Sequence, residues 1–181
     1  SASKKNNIIA GGIVFSRKES SNFFGNRLGF YSKQKGDSDV AELYTILRTF
    51  EILLYTQQEN KILKKNILED IYILDLGEDS LTQYDPMEMI ERLSYEFNER
   101  KIKDIFIECD SQYIIETLKY QSLDTIRKGK NPDLFLKIIY IIKMLEHLSF
   151  DIFLSWVKGH DKNYNNIRAD KTAKKALRES I

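Results

Sequence analysis

Ile102-Lys-Asp-Ile-Phe-Ile-Glu-Cys-Asp110-Ser-Gln-Tyr-Ile-Ile-Glu-Thr-Leu118 changes its pattern at one residue, Asp110. Before it runs a short apolar stretch with strand-forming residues. From Ser111 the apolar positions fall at helical spacing. A carboxylate at the end of a buried strand, with a helix starting behind it, is held firmly and faces the crevice where open α/β sheets place their ligands. Downstream, Gly129-Lys130-Asn131-Pro132 breaks the chain, and Pro132 suits a helix start. Leu134, Phe135, Ile138, Ile139, Ile141, Ile142 and Leu145 form a wide apolar stripe, which predicts a buried helix to about Leu148. Residues 150–157 predict another strand, closed by Lys158-Gly159-His160. Asn165 to Glu179 predicts a last, basic helix.

Upstream, residues 8–17 predict a strand whose Gly11-Gly12 pair marks a bulge or a close backbone approach. Residues 23–32 predict its antiparallel partner. Ala41, Leu43, Ile46, Leu47, Phe50, Leu53 and Leu54 predict an amphipathic helix over 39–57. Residues 58–100 read as an inserted segment with no assigned chemistry. Within it, Lys61 to Asn66 is polar and basic, Ile71 to Leu76 is apolar, and a helix begins near Pro86 and runs to about Glu99. The expected architecture is one α/β domain over 1–181: a mixed sheet flanked by helices, with the insert near 58–100.

The 181 residues are 42% hydrophobic and 30% charged, as in folded globular chains, with a net charge of +1. Such a balance points to no global polyanion affinity, so a nucleic-acid footprint has to be local. A single cysteine, Cys109, excludes an internal disulfide and a cysteine-rich zinc site and fits a reducing, intracellular setting. No apolar run approaches the roughly 18–20 residues of a membrane span.

Each polar candidate has a bland reading. Glu42, three residues after Asp39, fits the return half of a capping box. Asp110 fits an N-cap for the helix at Ser111. Asp170 fits a surface ion pair with Arg168, Lys171 or Lys174. His160 alone reads as a loop histidine, and Cys109 as a small core residue.

Four stretches carry a further signal through their order: Ala41-Glu42-Leu43, Asp110-Ser111-Gln112-Tyr113-Ile114, Trp156-Val157-Lys158-Gly159-His160, and Asn166-Ile167-Arg168-Ala169-Asp170-Lys171-Thr172-Ala173. In order and spacing they resemble ribonuclease H of the bacterial, eukaryotic and retroviral type, over nearly the whole chain apart from 58–100. The resemblance implies a ribonuclease H-like fold and cleavage of the RNA strand of an RNA–DNA hybrid. It implies Glu42, Asp110 and Asp170 as ligands of Mg²⁺ or Mn²⁺, with two ions roughly 4 Å apart. His160 would move protons or aid product release. Lys158, Arg168 and Lys171 would contact phosphates, while Lys174 and Lys175 also fit a solvated helix face. A reverse transcriptase or another multi-domain protein is an expected parent.

The resemblance also implies a fourth carboxylate, an aspartate ending the first strand. Ser1 stands in its register, and a neutral serine cannot bridge two cations, so the chain as written is expected to be inactive. A boundary within a larger polypeptide, a deliberate replacement and a natural pseudo-enzyme are three explanations, the first being favoured. The alternative function is therefore an inactive ribonuclease H-like module that binds nucleic acid or protein in an assembly. Two further departures bear on hybrid contacts: Asp37 to Val40 lacks the family's Asn-Asn-Arg, and Lys119 to Asn131 is too short for a basic protrusion.

Overall fold

Helix α1, Ser38–Gln57, is buried along most of its length, and it contributes to both apolar cores of the described residues. The computed structural model describes residues 2–5, 8–15, 26–33, 35–70, 86–159 and 164–179. One side of α1 places Leu43, Ile46, Leu47, Phe50, Leu53 and Leu54 in the larger apolar core. Ile52 and Tyr55 belong to a second core with Ile13, Leu28, Ile67, Ile90 and Leu93. A helix with apolar residues this far round its circumference cannot lie on a surface. Its interior also holds an ion pair, Arg48 Nη1 to Glu51 Oε1 at 2.7 Å. The pair is tolerated there because each charge has its counter-ion.

Three strands form an antiparallel sheet in the order β1, β2, β3: Ala2–Lys5, Ile8–Phe15 and Asn26–Ser32. Strand β1 has no counterpart among the expected elements; β2 and β3 lie within 8–17 and 23–32. The close approach expected at Gly11-Gly12 occurs at Gly12, where helix α7, Tyr164–Glu179, lies against β2. Ala169, Thr172, Ala173 and Ala176, all buried, let α7 come this near.

Helix α2, Lys61–Asp70, and helix α3, Pro86–Arg100, occupy the expected insert. The polar Lys61 to Asn66 run is thus helical, and Asn60 Oδ1 caps it by accepting from Ile62 N at 2.8 Å. The apolar run Ile71 to Leu76 lies outside the described residues. Strand β4, Asp104–Cys109, pairs in parallel with β5, Asp151–Trp156. Parallel neighbours need a long crossover, and helices α4, Gln112–Tyr120, α5, Leu123–Lys128, and α6, Pro132–His147, supply it. Antiparallel and parallel pairings are thus both present, divided between two sheets among the described residues.

The two strands of the parallel pair are entered in the same way. Lys101 and Ser149 have φ of 51° and 69°. Ile102 N then donates to Phe97 O at 3.2 Å and Phe150 N to Leu145 O at 3.1 Å. These are the six-to-one bonds of a left-handed helix terminus. The apolar residue after each terminus turns inward, and Phe150 meets Phe97 edge-on at 6.2 Å.

Candidate metal centre

The end of β4 and the second turn of α1 bring two carboxylates together. One oxygen each of Glu42 and Asp110, with Cys109 Sγ, lie within 4.8 Å of one another. Neither carboxylate serves as a helix cap. Asp37 caps α1, its Oδ1 accepting from Val40 N at 3.0 Å, so Asp39 and Glu42 do not form the capping box their spacing suggested. Ser111 caps α4, its Oγ accepting from Ile114 N at 3.4 Å, so Asp110 is left facing Glu42.

Asp110 is held from the C-terminal part of the chain. Asn166 Nδ2 donates to Asp110 Oδ2 at 3.5 Å, and the Trp156 indole N–H donates to the Asp110 carbonyl at 3.2 Å. Gly159 lies against the same side chain; a Cβ there would sit 3.6 Å from Oδ2. Strand β5, the turn after it and the start of α7 therefore converge on one residue. Its Asn166 and Trp156 contacts were not foreseen, although both residues sit in the motifs that signalled the family.

Cys109 is the small core residue its position suggested, 6% exposed, and it also borders the site. Ser111 N–H donates to its Sγ at 3.4 Å, and the thiol donates to Glu42 Oε2 at 3.7 Å. Burial first, then the negative charge of Glu42, pushes the thiol up to about 12. It stays protonated at neutral pH and acts as a donor, since only a thiolate is a good ligand. The remaining donor set is two carboxylates, oxygen ligands that fit Mg²⁺ or Mn²⁺.

Asp170 is not in this group of ligand atoms. It lies one turn along α7 from Asn166 and pairs with Lys174 Nζ at 2.9 Å, the surface ion pair that its local sequence suggested. His160 and Ser1 lie outside the described residues. Lys158 and Lys171 are exposed and Arg168 is half-buried. Glu108, two residues before Asp110, is exposed and outside the group.

The ribonuclease H family model matches residues 87–178, just over half of the chain, from α3 to the last turn of α7. The chain belongs to the ribonuclease H family. The matched region contains Asp110, Asn166 and Asp170. No curated protein matches the sequence. Among solved structures, the crystal structure of RNase H1 from the halophilic archaeon Halobacterium salinarum NRC-1 is similar at a TM-score of 0.47 and 16% identity, covering 98% of this chain and 93% of that one. No described helix is long and apolar enough to cross a membrane.

Proposed function

We propose that this ribonuclease H family member is a metal-dependent endoribonuclease acting on the RNA strand of RNA–DNA hybrids. The observation that carries the reading is the meeting of Glu42 and Asp110 at the end of β4. In this reading these carboxylates hold a divalent cation, which when bound supplies Lewis-acid activation of water and charge stabilisation at the phosphate. The Cys109 thiol and the Asn166 amide orient the two carboxylates, a supporting role that tunes ligand geometry. Asp170 and His160 complete the site, as a further ligand and a proton carrier. Lys158, Arg168 and Lys171 bind phosphates, and contacts to 2′-hydroxyls tell RNA from DNA. An intracellular setting and a larger multi-domain parent go with the same reading.

One observation favours a second reading, an inactive module that binds nucleic acid or protein: Asp170 is engaged by Lys174 and stands outside the Glu42–Asp110 group. A cleavage assay separates the two. The chain, and a form carrying Ser1→Asp with a strand fused ahead of it, are incubated with a labelled RNA–DNA hybrid or DNA duplex and Mg²⁺ or Mn²⁺. Hybrid-specific cutting by the fused form, abolished by Asp110→Asn, is the expected result. Hybrid binding without cutting by either form would establish the module.

A further inference from the structure

Among the described residues, strand β5 pairs with β4 on one side and with no strand on the other. Asp151 N donates to Lys103 O at 2.8 Å, and Val157 N to Cys109 O at 2.9 Å. Backbone groups along a parallel ladder turn to either side alternately. Those of Phe153 and Ser155 therefore also face β4, and those of Ile152 and Leu154 face the outer edge. Beside that edge opens a groove of about 430 Å³, lined by Leu118 of α4, Ile139 and Ile142 of α6, and Ile152 and Leu154 of β5.

Edge strands ordinarily carry a guard against pairing, such as a proline, a bulge or an inward charge. Asp151-Ile-Phe-Leu-Ser-Trp156 has a single charge, at its first residue, and no proline. A strand laid along this edge would satisfy the backbone groups of Ile152 and Leu154 and send alternate side chains into the groove. The groove rim carries both signs, through Lys119, Lys143 and Glu146, all exposed. A mixed rim of this kind complements a second copy of itself about a two-fold axis.

We propose that β5 pairs antiparallel with β5 of a second copy of this chain, about a two-fold axis at Phe153. In that register Ile152 of one copy exchanges both backbone bonds with Leu154 of the other, so the outward groups of both residues are paired in each strand. Ile152 and Leu154 meet across the axis on the groove side. The two Phe153 rings, 47% exposed in the single chain, meet on the opposite side. Asp151 falls opposite Ser155, so no like charges are opposed. The axis runs the two α6 helices antiparallel and turns Lys143 of one copy toward Glu146 of the other. Phe153 stands opposite Phe106, and Asp110 lies four residues, about 13 Å, further along. The interface is therefore separate from the Glu42–Asp110 group.

The test is sedimentation of the full chain over a concentration series, joined to cysteine cross-linking. A monomer–dimer equilibrium is expected. Leu154→Pro removes an outward N–H, a change an edge strand tolerates, and should abolish the dimer while far-UV circular dichroism stays that of the parent. Glu146→Lys, at an exposed position, should weaken the dimer roughly tenfold, and Lys143→Glu added to it should restore the parent's affinity. Directly opposed residues of this kind lie about 4.5 Å apart at Cα, within disulfide range. Oxidised Phe153→Cys should therefore form a covalent dimer, and Asp151→Cys, four residues out of register with its own copy, should not. A chain that stays monomeric at every concentration leaves the edge to a strand of another protein and overturns the proposal. So does a dimer that persists in Leu154→Pro, a Glu146→Lys defect that Lys143→Glu does not repair, or cross-linking of Asp151→Cys as ready as that of Phe153→Cys.

Discussion

Replacing Gly12 with alanine should loosen α7 from the sheet. An added methyl would sit 2.7 Å from Ala173 N and 2.9 Å from Thr172 Cβ, and closer still to the carbonyl oxygen of Ala169. Two of these are backbone atoms of a helix and cannot rotate away, so α7 itself has to move. Overpacking of this kind typically costs about 1–3 kcal/mol, and the upper end applies where backbone is the obstacle. No described glycine has positive φ, so alanine adopts the backbone and recovers about 0.5–1 kcal/mol of glycine's entropy cost. The net loss is about 2 kcal/mol. For a chain of this size that lowers Tm by about 4–8 °C. Because α7 carries Asn166, the Asn166 side-chain amide resonance should shift as the bond to Asp110 lengthens. Gly29→Ala is the control: its methyl would meet the Ala176 methyl at 3.1 Å, and a smaller loss is expected. Thermal and urea unfolding with amide spectra provide the assay. An unchanged Tm and an unmoved Asn166 amide in Gly12→Ala would refute the packing argument.

Other predictions concern the core and the helix termini. Glu51→Ala leaves the Arg48 guanidinium buried without its 2.7 Å counter-ion, and should cost about 3–5 kcal/mol in urea unfolding; a loss under 1 kcal/mol, roughly that of a surface pair, would contradict it. Burial raises the Glu51 pKa above 4.5, outweighing the opposing pull of Arg48. Its contribution to stability is therefore full below about pH 4.5 and fades as pH rises through the folded value. The difference in unfolding free energy between the parent chain and Glu51→Gln should shift toward the Gln variant over that rise. Ser149 holds φ at 69°, so Ser149→Gly should gain roughly 0.5–1 kcal/mol, read as a higher urea midpoint. With its thiol pushed up to about 12, Cys109 should react with iodoacetamide at pH 8 on the order of a thousandfold more slowly folded than unfolded. Equal rates by mass spectrometry would show the thiol to be accessible.

How much was legible in the sequence depended on the range of the interactions. Helices α1, α3, α6 and α7 follow from periodicity, and Pro86 and Pro132 mark two of their starts. Helices α2 and α5 were not anticipated. Their apolar stripes are short, and their start signals are single caps, Asn60 and Ser122, the latter accepting from Thr125 N at 3.2 Å. The caps of α1 and α4 are Asp37 and Ser111, each displaced from the carboxylate that composition alone suggested. That displacement leaves Glu42 and Asp110 available to each other. Asp170 with Lys174 is an i,i+4 pair, visible as a local alternative. The contact of Cys109 with Glu42 and of Asn166 with Asp110 spans 67 and 56 residues, and periodicity carries no information at that range. The order of the four motifs was the signal that brought their residues together in advance.

The central claim is that Glu42 and Asp110 form a divalent cation site. Titrating the isotope-labelled chain with substoichiometric Mn²⁺ and following paramagnetic broadening tests it directly. Broadening should begin at the amides of Glu42, Asp110 and Ser111 and at the Trp156 indole, and it should disappear from them in Asp110→Asn. Broadening spread over exposed carboxylates such as Asp104, Asp124 and Asp151, or unchanged by Asp110→Asn, would contradict it.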